Sequence, residues 1–425
     1  VTGGVSLSDM PRISGSASGL LDGQEVSLTG SIDTDNISDF SAYIKADHLD
    51  AKYANSFLAG HKDISLQGGY AKNIRLNVVG DGSGSMDLTG HAAIRDVAGS
   101  YGFNGQVFDF ANAEANLAFT DNKILIQRGS ADVNGQHGQV SGFVALGQDA
   151  ADLSLDIVAT DVDASALLPE PIEGTWAATI HVGGDTLAPT VSGKILGQNI
   201  AYQGYAVDSL KGDIDYRDNR LSVTDLAVAK GNSSLAGALT YHTDSQDFDL
   251  IANPNQVQIG DFKDLLGYDV DGYVSGHIYA HGSGGQLTAL TGTLEGQSVS
   301  YQGITVDSLS AGLASDGDTI EVSYLNGQVG YGAFTGYGSL KNGQANINLS
   351  GNQIPLSALS SYAGHDLEGQ ATVQAQIQGS LDDMNGQVQV TTGPISVDGI
   401  SHFDSLTLDG SIQGQVVTID KALLI

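Results

Sequence analysis

A chain of 425 residues has the length of about three domains, or of one long repetitive one. Its 49 acidic and 17 basic residues leave a formal charge of −32, which repels phosphate backbones and excludes nucleic acid as a partner. With no cysteine, disulfides, thiolate zinc sites and iron–sulfur clusters are excluded together. Glycine stands at 57 of 425, roughly twice the usual ~7%, while only 7 prolines rule out a collagen-like or proline-rich chain. Hydrophobic residues make up 41% and are spaced along the chain, which excludes disorder. No apolar run approaches the ~18 residues that cross a bilayer. The chain opens without a basic and then apolar leader and stops inside an apolar run, so it is expected to be an internal piece of a larger protein.

Period-two alternation, the mark of a strand with one apolar face, runs through the chain. Leu153, Leu155 and Ile157 alternate with Ser154 and Asp156. Trp176, Ala178 and Ile180 alternate with Ala177, Thr179 and His181. Leu221 and Val223 alternate with Ser222 and Thr224 before Leu226 and Val228 shift the phase. Ile320, Val322 and Tyr324 alternate with Glu321 and Ser323, and Ile347 and Leu349, and Val373, Ala375 and Ile377, continue the pattern. Turn signals between them are Asp22-Gly23, Asn134-Gly135, Asp271-Gly272, Asn326-Gly327, Asn342-Gly343 and Asn385-Gly386. The expectation is an all-β antiparallel meander, one face apolar and one wetted.

A repeat of about one hundred residues overlies the strands. Tyr202-Gln203-Gly204 with Val207-Asp208-Ser209-Leu210 returns as Tyr301-Gln302-Gly303 with Val306-Asp307-Ser308-Leu309. Weaker copies lie around Gly105 and Gly399. A second landmark is Leu28-Thr29-Gly30, Val140-Ser141-Gly142, Leu235-Ala236-Gly237 and Phe334-Thr335-Gly336. A third is Leu66-Gln67-Gly68, Ile172-Glu173-Gly174, Val270-Asp271-Gly272 and Leu367-Glu368-Gly369. These divide the chain into a partial repeat at 1–90, repeats at 91–193, 194–292 and 293–386, and a partial repeat at 387–425. Short helices are expected at 49–58, 164–168, 259–266 and 355–363, where alternation fails and Phe262, Leu265 and Leu266 have helical spacing.

No catalytic constellation stands out. His277 and His281 share a strand face with Tyr273, Ser275 and Tyr279, and lack a third ligand at useful spacing, so no metal is expected there. The glycine clusters at 80–84 and 282–285 lack the Lys-Ser/Thr ending of a phosphate loop and read as hairpins. Asp33, Asp35 and Asp39, like Asp161 and Asp163, lack the glycine and terminal glutamate of a calcium loop. Neither an enzyme activity nor a cofactor is expected.

The apolar stripe on strand after strand needs a partner. Each repeat either closes on itself as a sandwich, or all share a curved sheet whose apolar face holds a foreign guest. The single Trp and the unbroken rhythm at Gly193 and Gly292 favour the continuous sheet.

The segment Gly184-Asp185-Thr186-Leu187-Ala188-Pro189-Thr190-Val191-Ser192-Gly193-Lys194-Ile195 resembles the Gly-x-Leu-x-x-Pro-x-x-x-Gly-x-Ile punctuation of TamB and other AsmA-like proteins. Softer copies without the proline stand at 82–94, 282–294 and 379–388. The resemblance implies one long antiparallel sheet curved lengthwise into a U-shaped β-taco with an apolar interior and few short helices. It also implies a periplasmic bridge in a diderm bacterium, conducting phospholipids between inner and outer membranes and serving outer-membrane biogenesis. The lipid acyl chains would lie on Leu153, Leu155, Ile157, Trp176, Ala178, Ile180, Val191, Ile195, Leu221, Val223, Ile320, Val322, Ile347, Leu349, Val373 and Ile377. An Omp85-type outer-membrane β-barrel is the implied partner, and an N-terminal anchor outside this segment would hold the inner membrane. The competing expectation is a cell-surface adhesin of tandem β-sandwiches. A β-helix needs rungs of about 20 residues and does not fit the longer period.

Overall fold

Alternating side chains favour extended backbone, because a strand then turns its apolar groups to one side. The computed structural model of the chain follows that pattern from Thr2 to Leu424. It describes every residue except 22, 57–63, 104–105, 148–149, 168–171, 203, 264–266, 268, 302, 381–382 and 415. Among the described residues, 27 strands form one antiparallel sheet. Three short strands, Leu367–Glu368, Ile395–Val397 and Ser401–Phe403, form a second.

The chain divides into two units, Val1–Ala206 with Asp213–Asp218, and Val207–Gly212 with Asn219–Ile425. In the first, each strand pairs with its successor, from Thr2–Asp9 against Arg12–Leu21 to Glu173–Asp185 against Pro189–Tyr202. In the second, the meander runs from Arg220–Lys230 against Ser233–His242 to Leu406–Gln413 against Val416–Leu424. Gly193 and Gly292, where repeats meet, lie inside the strands Pro189–Tyr202 and Gln286–Tyr301 and are paired there.

Each expected helical break is present. Ala51–Ser56, Ala164–Ala166, Ile259–Phe262 and Leu356–Leu359 are 3-10 turns, the last followed by one α-turn at Ser360–Ala363. Residues 57–58, 168 and 264–266 of the expected helices, Leu265 and Leu266 included, lie outside the described residues.

The repeated landmarks turn out to be backbone devices. Three third-landmark glycines take positive φ, Gly174 at 117°, Gly272 at 120° and Gly369 at 124°. The pairing register shifts at Gly174 and Gly272, so these residues form β-bulges. The Asp of the Val-Asp-Ser-Leu motif clamps a later hairpin. Asp208 Oδ2 accepts from Gly231 N at 2.7 Å, and Asp307 Oδ2 accepts from Gly330 N at 2.6 Å.

Turn signals divide in two. Asn134-Gly135 and Asn342-Gly343 have left-handed φ at both residues and close tight hairpins. Asp22 lies outside the described residues. Asp271-Gly272, Asn326-Gly327 and Asn385-Gly386 are not turns but positions within Val270–Ser283, Thr319–Val329 and Asp383–Thr392. In these three the glycine serves a bulge or leaves room for a neighbouring strand, and the Asx residue faces solvent.

The surface decides how the apolar face is treated. A globular protein of 43.8 kDa exposes about 15,400 Å². This chain exposes 24,739 Å², and among the described residues no side chain is less than 2% exposed. A two-layer core would hide large side chains completely. Buried apolar residues are few and mostly small, as at Ala46, Ala115, Ala280, Ala345 and Ala371.

Candidate functional site

The residues that alternation assigns to the apolar face do share one face in each unit. In the first unit, Ile157 pairs with Val140 and Ile180, and Ile180 with Gly193. Beside that row, Leu155 pairs with Gly142 and Val182, and Val182 with Val191. Leu153 pairs with Val144 and Gly184, and Ala178 with Ala159 and Ile195. Trp176 pairs with Val162 and Gly197, and its buried Nε1 has no hydrogen-bond partner. A second apolar stretch of the same unit forms a concavity of about 370 Å³ lined by Val5, Ile13, Ala17, Leu28, Ile32 and Phe40.

In the second unit the pattern is longer. One row runs through Leu226, Gly237, Ala252, Ile278, Gly292 and Leu313. It continues through Val322, Gly338, Ile347, Ile377, Gly386 and Ile412. At about 4.8 Å per strand, twelve strands carry this row some 50 Å. Val223 and Ile320 stand in the adjoining row with Leu239, Leu250, Ala280 and Leu290. On the other side, Leu349 stands with Leu325, Gly336, Ala375 and Val388. Val373 stands beyond it with Phe334, Gly351, Val390 and Leu408. Leu221 pairs with Tyr241 beyond Val223. No ionisable side chain interrupts these four rows. Most members are half-buried by their neighbours alone; Val223 is 8% exposed and Ile320 is 43% exposed.

Two β-bulges keep the face continuous where the sequence changes phase. Thr224 and Asp225 loop out between Val223 and Leu226, with Asp225 at φ 49°. Ser323 and Tyr324 do the same between Val322 and Leu325, which turns Tyr324, expected on the apolar face with Ile320 and Val322, to the polar one; the Ser323 hydroxyl donates to the Gly312 carbonyl at 3.3 Å. The phase shift at Leu226 is the visible sequence signal of the first bulge.

The opposite face is polar and carries the charges. His181 Nδ1 lies 2.8 Å from Asp156 and His137 Nδ1 lies 2.8 Å from Asp132; off this face, beside the three-stranded sheet, His365 Nδ1 lies 2.9 Å from Asp398. His277 is exposed beside Asn253, and His281 pairs with Asp249 instead of with His277. Asp33 accepts from the backbone of Asp35 and Asn36, and Asp163 caps the 3-10 turn through Ser165 N. Among the described residues, no group of three or more His, Asp or Glu could hold a metal ion, and no helix is long and apolar enough to cross a membrane.

Asp249 accepts from the Tyr279 hydroxyl at 2.5 Å and lies 2.9 Å from His281 Nδ1. These two contacts, Tyr279 first, hold its carboxyl below the ordinary aspartate value. A depressed carboxyl contributes stability above the unfolded pKa and loses it as pH falls through the folded pKa. The Asp249 carboxyl carbon is therefore expected to titrate in NMR below an unpaired aspartate, and Tyr279→Phe to raise its midpoint. An unchanged midpoint in Tyr279→Phe would refute the assignment.

No protein family, curated protein or solved structure matches the chain.

Proposed function

We propose that this chain is a segment of a lipid bridge of the TamB and AsmA-like kind, whose apolar face carries phospholipid acyl chains. In this reading the sheet of each unit is curved lengthwise into a U, and the segment works in the periplasm of a diderm bacterium between inner and outer membranes. An anchor elsewhere in the protein meets the inner membrane, and an Omp85-type barrel receives the outer end.

The observation that carries the reading is the uncharged apolar row of about 50 Å, in a sheet where no described side chain is fully buried. Acyl chains suit such a surface because burial needs no directional partner and is worth about 0.8 kcal/mol per methylene. A palmitoyl chain laid along the row would gain on the order of 10 kcal/mol. Curvature has support in the same rows. Gly237, Gly292, Gly338 and Gly386 recur within one row, and Gly276 and Gly336 in the next. Glycine kinks and bulges repeated at matching heights are the means by which antiparallel sheets bend across their strands. Tandem sandwich domains would instead hide large side chains in closed cores, and no described side chain is hidden so completely.

Native mass spectrometry of the full chain, exported to the periplasm of a diderm host and purified without strong detergent, tests the proposal. Glycerophospholipid is expected to leave the column with the protein and to be recovered by solvent extraction. A chain that emerges lipid-free and takes up no fluorescent phospholipid from vesicles would overturn it.

A further inference from the structure

The polar face of the second unit holds a shallow cavity of about 820 Å³. Two rows of side chains floor it. One consists of Asn326, Thr335, Ser350, Gln374, Gln389 and Asp409, each paired across to the next. The other, two residues away along the strands, consists of Tyr337, Asn348, Gln376 and Gln387. The rows are therefore about 6.8 Å apart, and their members succeed one another at about 4.8 Å.

Tyr324 stands at the end of the second row because its bulge adds one residue, so that Ser323 and Tyr324 together oppose Tyr337. Its ring lies over Gly312, where a Cβ would overlap the ring edge, so the glycine seats the aromatic against the sheet. Tyr324 is 40% exposed and Tyr337 is 60% exposed. The side-chain amides of Asn348, Gln374, Gln376 and Gln387 make no hydrogen bond with the described residues. Gln389 donates to Asp409 at 2.8 Å, which fixes that carboxylate at the cavity's end.

We propose that this cavity binds a neutral oligosaccharide lying across the strands. Tyrosine rings offer a flat apolar surface to the C–H face of a pyranose. Free amides provide both donors and acceptors for hydroxyl or N-acetyl groups, and Asp409 and Asp420 accept from hydroxyls. The strand spacing is close to the length of one pyranose residue, so successive sugars meet successive amides. No Lys, Arg or His lines the cavity, and its two carboxylates repel an anionic chain. An acyl chain would strip water from the amides without replacing their hydrogen bonds. The site rests on this geometry alone and lies on the face opposite the proposed lipid path, so each proposal can fail without the other.

Isothermal titration calorimetry of the full chain with cellotetraose and with chitotetraose tests it. Saturable binding of at least one, with a submillimolar Kd, is the expected result. Tyr337→Ala and Gln376→Ala should each weaken it tenfold or more. Tyr331→Ala, at a tyrosine 61% exposed outside the cavity, should leave it unchanged. All three positions are on the surface, and an unchanged circular dichroism spectrum confirms that each variant folds. Absence of heat with both sugars at millimolar concentration would overturn the proposal. So would binding unaffected by the two cavity substitutions, or equally tight binding of tetragalacturonate.

Discussion

Val322→Asp is expected to abolish lipid carriage while leaving the protein folded. Val322 stands mid-row between Leu313 and Gly338 and is only half-buried. A carboxylate there reaches water when the face is empty, so the melting temperature should move by no more than a few degrees. An acyl chain crossing the row would have to strip that water away, at a cost of several kcal/mol. Since 1.4 kcal/mol is tenfold in occupancy, co-purifying phospholipid should fall by at least tenfold. Val223→Asp is the contrast. At 8% exposure its carboxylate lacks water even without lipid, and a loss of about 3 kcal/mol or more should appear in denaturant unfolding. Cells carrying the full-length Val322→Asp protein should have a leaky outer membrane. A Val322→Asp protein that retains its lipid would show that this row is not the path.

Gly142→Ala should be among the most damaging single-methyl additions in the first unit. Gly142 lies mid-strand at φ 127°, where L side chains are strained by about 1–3 kcal/mol. An added Cβ would also overlap the Ser154 carbonyl oxygen and stand 3.0 Å from Leu155 Cα, both on the paired strand. Relief requires prying the two strands apart, so the combined loss is expected at about 3 kcal/mol or more. Gly4→Ala provides the control, because nothing lies within 4 Å of its Cβ position. Urea unfolding should separate the two, with a lower midpoint for Gly142→Ala and an unchanged one for Gly4→Ala. Equal midpoints would mean that the sheet relaxes around position 142 without cost.

Much of this architecture was legible in the residues, for a physical reason. An antiparallel strand turns successive side chains to opposite faces, so alternation at Val373, Ala375 and Ile377 reads directly as facing. Leu153, Leu155 and Ile157, which alternate in sequence, pair across to Val144, Gly142 and Val140 on one face. What alternation could not separate was a glycine that turns the chain from one that bends it. Asn342-Gly343 and Asn385-Gly386 look alike in sequence, yet only the first closes a hairpin. The difference lies in what the neighbouring strand brings to that position, which is not local information. The polar cavity was hidden for a related reason. Tyr324 and Tyr337 become neighbours only because a bulge inserts one extra residue opposite Tyr337, whereas simple alternation sets Tyr324 beside Val322 on the apolar face.

Nearly every strand pairs with the strand that precedes it and the one that follows. Few contacts therefore wait on a distant part of the chain, and the entropy of closing loops is met a hairpin at a time. A chain threaded through a pore from its N-terminus could add each strand to a finished edge as it emerges, with no later segment needed to complete an earlier one. The exposed edge at any moment is the template for the next strand. Pausing between hairpins leaves that template open to another chain, so the rate of delivery, more than final stability, should govern how often such a protein aggregates.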